Sequence, residues 1–125
     1  MQTPYELLGG EAGVRQLAIA FYKVMSERTE AKSIRDMHAK NLDVIQDKLF
    51  KYLSGWMGGP SLYLDEYGTI CLSSPHAKYA IGVNERDQWL ACMDQALEQV
   101  GASEQVRTML KEPMYNMAEM MRNRD

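Results

Sequence analysis

The chain has 125 residues, 46% of them hydrophobic and 25% charged, which is the size and balance of one globular domain spanning residues 1–125. A net charge of −3 excludes a general nucleic-acid footprint, and no apolar run approaches the ~20 residues that span a bilayer. With no basic region followed by an apolar core at its start, the chain is expected in the cytoplasm, and Cys71 and Cys92, which form no C-x-x-C or C-x-x-C-H motif, are expected to be reduced thiols.

Thr3-Pro4 predicts a short helical turn, threonine capping and proline at the first helical position, with Tyr5, Leu7 and Leu8 on its apolar side and Gly9-Gly10 closing it. Val14, Leu17, Ala18, Phe21 and Met25 recur at helical spacing, so a helix is expected from about Glu11 to Glu27, with Tyr22 beside the stripe. Between Arg28 and Lys40 the pattern weakens to a short helix carrying Ile34, Met37 and His38. The next helix starts at Lys40 or Asn41, repeats Leu42, Ile45, Leu49, Leu53 and Trp56, and ends at Gly58-Gly59-Pro60. That face is apolar over four turns, more than a surface helix requires.

Ser61 to Gly82 has no helical or strand period and is expected to be a long irregular, functional segment. It contains His76, one of two histidines, together with Tyr63, Tyr67 and Tyr79. A helix from about Glu85 to Val100 follows, with Trp89, Met93, Ala96, Leu97 and Val100 on one face. Gly101 ends it, Ser103 caps the last helix, and Val106, Met109, Leu110, Met114, Met117 and Met121 form a stripe in which Pro113 predicts a kink or a broken turn. Ten methionines and few β-branched runs point to an all-helical core. A neutral imidazole at His76, one nitrogen held by a backbone carbonyl, suits a metal or cofactor; the competing assignment is an inert surface histidine.

Four pieces carry a resemblance: Y-E-L-L-G-G, the Phe21-Tyr22 pair, W-M-G-G-P at Trp56–Pro60, and H-A-K-Y-A-I-G-V-N-E-R-D-Q-W-L from His76. Over nearly the whole chain, Tyr5 to Met121, the sequence resembles the truncated haemoglobins, and most the group II branch. The resemblance implies an all-α, two-over-two helical sandwich around one non-covalent haem b. It aligns His76 with the proximal iron ligand, Tyr22 with the distal tyrosine and Trp89 with the distal tryptophan.

By the same alignment Ile45 stands where vertebrate globins place the distal histidine, and it offers no hydrogen bond to a ligand; Leu49 packs over the haem from the same helix. His38 falls where the family usually has tyrosine or phenylalanine: it either faces the pocket, bonding a ligand or Tyr22, or lies on the surface. Lys48 pairs with a propionate or is solvated, and Tyr63 donates to a propionate or is an ordinary loop residue. Tyr79 and Ile81 line the haem edge, and the methionines of the last helix belong to the core.

The function implied is reversible binding of oxygen, with carbon monoxide and nitric oxide as further diatomic ligands. The alternative is a redox enzyme acting on nitric oxide or peroxide; a helical interaction module without haem is disfavoured by the retained His76, Tyr22 and Trp89. Each distal hydrogen bond to a partly charged ligand is worth about 1.5–3 kcal/mol, so two or three donors make release slow. The chain has no G-x-G-x-x-G motif, so turnover requires a separate reductase. A monomer or homodimer is expected.

Overall fold

A computed structural model describes residues 2–125. Its elements, in chain order, are α1 (Pro4–Leu7), α2 (Gly10–Glu27), a 3-10 turn (Thr29–Ala31), α3 (Lys32–Asp36), α4 (Asp43–Trp56), α5 (Leu62–Tyr67), α6 (Ser73–His76), α7 (Val83–Gln99) and α8 (Glu104–Met121). There is no strand among the described residues. The layer formed by α2 and α4 packs on the layer formed by α7 and α8, with α2 touching both α4 and α7. This is the two-over-two helical sandwich that the resemblance implies.

Local chemistry sets the boundaries. At α1 the Thr3 hydroxyl accepts the Glu6 N–H at 3.2 Å while the Glu6 carboxylate accepts the Thr3 N–H at 3.3 Å, a reciprocal cap with Pro4 just inside it. The α4 start falls two or three residues later than the sequence implies, because Asn41 Oδ1 accepts the Asp43 N–H at 2.8 Å and so closes a turn before the helix. For α7, the Glu85 carboxylate reaches back to the Gly82 N–H at 2.9 Å, and the helix begins at Val83. Ser103 caps α8 through the Val106 N–H at 3.2 Å.

Two glycines allow α1 to dock. A Cβ on Gly13 would lie 1.8 Å from the Leu8 carbonyl oxygen, and one on Gly59 would lie 2.4 Å from the Tyr5 ring. These close approaches, with the Tyr5 N–H donating to the Met57 carbonyl at 3.0 Å, fasten the first turn across α2 and the end of α4.

Two expectations need correction. The segment 61–82 is not irregular throughout: it contains α5 and α6, and His76 is the last residue of α6 rather than part of an open loop. Of the kink or broken turn expected at Pro113, the broken turn does not occur: α8 is one continuous helix from Glu104 to Met121. The hydrogen bond that proline removes would have gone to Met109, and both residues sit on the solvent side, where water can solvate the freed carbonyl.

The core is built from the predicted stripes. Val14, Leu17, Ala18, Phe21 and Met25 of α2 meet Leu53 and Met57 on one side and Met93, Ala96, Leu110, Met114 and Met117 on the other, all buried. In α4 the burial is uneven: Phe50 and Leu53 are enclosed, whereas Ile45 and Leu49 are only partly covered by protein.

Candidate functional site

The incomplete cover of Ile45 and Leu49 has a cause, because both face a cavity of about 340 Å³. That is a volume typical of small-molecule and cofactor pockets. Side chains from α2, α4, α5, α6 and α7 converge there, and all ten residues singled out in the sequence line it: Tyr22, His38, Ile45, Lys48, Leu49, Tyr63, His76, Tyr79, Ile81 and Trp89. A larger concavity of about 650 Å³ lies between α7 and α8, lined by Leu90, Met93, Leu97 and Leu110 with Asp94, Glu104, Arg107 and Lys111. It holds neither histidine, so the chemistry lies in the smaller one.

His76 and His38 are tethered in the same way. Each ring nitrogen Nδ1 contacts the backbone carbonyl four residues earlier, His76 to Leu72 at 2.5 Å and His38 to Ile34 at 2.8 Å. A carbonyl can only accept, so each Nδ1 carries a proton, and in a neutral ring Nε2 is then the nitrogen with the free lone pair. This is the tautomer a metal ligand needs, with the outer hydrogen bond fixing the ring. His76 is further held from outside: Asn123 Nδ2 donates to the His76 carbonyl at 3.2 Å and to the Tyr79 carbonyl at 2.8 Å, and Asn123 Oδ1 accepts the Ile81 N–H at 2.9 Å.

His38 is not a surface residue; it lines the cavity, with its ring 5.5 Å from that of Tyr22, edge to face. Burial lowers its pKa, the Ile34 carbonyl opposes that shift, and the charges of Arg35 and His76 add to it, so the ring is neutral at pH 7. Tyr22 is 5% exposed, and its phenol is raised far above the ordinary value by burial alone. Among the described residues its hydroxyl has no hydrogen-bond partner, although it borders the cavity. The oxygen opens onto the cavity, where a polar ligand would give it a hydrogen-bond partner. Trp89 stacks against Phe21, ring centres 5.2 Å apart, which holds the indole at the cavity wall.

Several lining residues escaped the sequence reading. Met117, Ala118 and Met121 close one side, while Leu72 and Pro75 flank His76. Arg86 is committed to Glu119 at 2.8 Å and Asp87 at 2.9 Å. Lys78 and Lys48, by contrast, make no ion pair among the described residues; they lie over the rings of Tyr79 at 5.2 Å and Tyr67 at 5.4 Å. Lys78 stands two residues after His76, and that proximity was the available signal. Asn123 gave none, since its partners are more than forty positions away.

The donor set fits a haem. One imidazole lone pair is presented from α6, apolar walls come from Ile45, Leu49, Leu72 and Met117, two unpaired ammonium groups suit propionates, and polar groups stand at Tyr22 and His38.

A model of the "Bacterial-like globin" family matches residues 3–123. A group 2 truncated haemoglobin of Bacillus subtilis is 32% identical over 108 residues, 86% of this chain and 79% of that protein. Among solved structures, a cold-adapted truncated haemoglobin of the Antarctic marine bacterium Pseudoalteromonas haloplanktis superposes with a TM-score of 0.94 at 39% identity, covering 99% of this chain and 100% of the other. A group II 2-on-2 haemoglobin of Agrobacterium tumefaciens gives 0.94 at 34% identity, covering 100% and 97%.

Proposed function

Because the chain belongs to the bacterial-like globin family, as a group II truncated haemoglobin that binds haem, we propose that His76 is the axial ligand of a haem b and that the protein reversibly binds oxygen and other diatomic gases. The observation that carries this is the His76 tether: Nδ1–H given to the Leu72 carbonyl, Nε2 left as a lone pair in a largely apolar cavity. Bound haem supplies an iron with one open position for oxygen, carbon monoxide or nitric oxide.

The chain's own residues set what happens around that position. Lys48, Lys78 and Tyr63 would meet the propionates of a bound haem, and Leu49 and Ile81 would keep water from it. Tyr79 closes the edge beside Ile81. Tyr22, Trp89 and His38 supply the hydrogen-bonding groups on the ligand side, and Ile45 supplies none.

The neutral Nε2 of His38 is an acceptor, so its natural partner is the Tyr22 hydroxyl or a ligand that carries a proton. Such an acceptor beside two donors favours a second reading, a redox enzyme acting on nitric oxide or peroxide and served by a separate reductase. We further infer a cytoplasmic protein of one domain, monomeric or homodimeric, acting without nucleic acid or membrane.

Absorption spectra of the haem-loaded protein, ferrous, with and without oxygen and carbon monoxide, test the reading. Reversible spectral change on adding and removing each gas is expected. A reduced protein indifferent to both gases contradicts it.

A further inference from the structure

Tyr52, Tyr63 and Tyr67 form a chain of touching rings that runs from the cavity to the surface. Tyr52 of α4 and Tyr63 of α5 both line the cavity, with ring centres 5.4 Å apart at 75°. Tyr63 meets Tyr67 at 4.5 Å, and Tyr67 is 38% exposed at the end of α5. The last pair follows from i,i+4 spacing on one helical turn. Core filling does not account for the two α5 rings, since no residue of α5 is buried.

The two ends differ chemically. A phenol that gives up one electron becomes a strong acid, so it comes to rest as a neutral radical only where a base takes its proton. The Tyr52 hydroxyl has only the Ile70 carbonyl at 3.5 Å, a poor base. Tyr67 directly follows Glu66 in α5, and Lys51 at 2.6 Å keeps that carboxylate ionised. The Lys48 ammonium over the Tyr67 ring disfavours a cationic ring and so favours loss of that proton.

We propose that Tyr52, Tyr63 and Tyr67 are a one-electron relay, and that Tyr67 is the surface exit from which an electron is drawn when hydrogen peroxide oxidises the haem. The proposal rests on the haem reading above. Its balance is simple. The peroxide O–O bond breaks, one oxygen leaves as water with both peroxide protons, and the other stays with the iron. Of the two electrons required, the ferric iron gives one and Tyr67 the other, passed inward ring by ring, while the Tyr67 O–H bond breaks and its proton goes to Glu66. A hydrogen-atom donor in solution, of the small-phenol class, then restores Tyr67 without entering the cavity.

The test uses ferric, haem-loaded protein mixed with hydrogen peroxide and a nitroso spin trap, with adducts mapped on peptides. Haem uptake is read from the absorbance before peroxide is added, so a chain that takes up no haem overturns the parent reading visibly as well as this one. The adduct is expected on Tyr67. Tyr67→Phe should lose it, with the label moving inward to Tyr63 or Tyr52 and peroxide consumption unchanged. Tyr63→Phe, compared at equal bound haem, should lose the Tyr67 label because the chain is cut. Tyr115 is the internal control, being 43% exposed and outside the chain of rings. Labelling of Tyr115 equal to that of Tyr67 would show that exposure alone decides, and would overturn the proposal. So would a label confined to Cys71, Tyr22 or Trp89, or a Tyr67 label that survives in Tyr63→Phe.

Discussion

The side-chain amide of Asn123 donates to the backbone carbonyl of His76 at 3.2 Å, so a residue just past the last helix fixes the turn that carries the proposed iron ligand. The same amide reaches the Tyr79 carbonyl, and its oxygen takes the Ile81 N–H. Replacing Asn123 by alanine leaves that N–H unpaired in a half-buried place, which costs about 1–3 kcal/mol. Urea unfolding of the apoprotein should show a lower midpoint by that amount, and the holoprotein should lose haem to an acceptor faster than the parent. An unchanged haem-loss rate would mean the 76–81 turn holds its shape without this anchor.

Tyr22 bears on function more than on stability. Its ring is buried while its hydroxyl opens onto the cavity without a protein partner, so Tyr22→Phe should change apoprotein stability by less than about 1 kcal/mol. In the holoprotein the same change should speed oxygen release about ten- to a hundredfold, corresponding to one lost hydrogen bond of ~1.4–3 kcal/mol to a partly charged ligand. Trp89→Phe should act in the same direction, and the double variant should be non-additive because both groups serve one ligand. Carbon monoxide, less charged when bound, should be affected less in stopped-flow measurements; equal effects on both gases would indicate sterics.

His38 makes a prediction about pH. Burial, with Arg35 and His76 nearby, lowers its folded pKa below the unfolded value near 6.5, so the folded state binds fewer protons. The stability it contributes is fully present above that unfolded value and is lost as pH falls through it toward the folded pKa. Apoprotein stability should therefore decline from pH 7 to pH 5, and His38→Gln should flatten that decline. Parallel curves for the two proteins would place the titration elsewhere.

Gly13 tests the packing of α1 on α2. A Cβ there meets the Leu8 carbonyl, a backbone atom that cannot swing aside. Gly13→Ala should lower stability by about 1–3 kcal/mol despite alanine's better helix propensity, measured by thermal or urea unfolding. A stabilised variant would show that α1 is free to shift.

The parts of the site that lie on long helices were legible in the sequence, because Tyr22, Ile45, Leu49 and Trp89 combine helical spacing with recognisable neighbours. Helices α5 and α6 were not. With six and four residues they are too short for a periodic pattern, and neither buries a residue, so no apolar stripe betrays them. Pro75 is tolerated because it sits in the first turn of α6, where its missing N–H has no intrahelical partner to lose. The pocket position of His38 was left open between cavity and surface, because its Ile34 tether and its edge-on contact with Tyr22 are products of the fold. Asn123 acts across 47 positions on His76 and carries no local signature.

The central claim is that His76 Nε2 holds the haem iron. Resonance Raman spectroscopy of the ferrous, ligand-free protein, beside its His76→Ala variant, tests it most directly. The account predicts an iron–histidine stretching band in the parent protein that disappears in His76→Ala, with haem content reduced or restored only by added imidazole. A variant that retains both its haem and that band would contradict it.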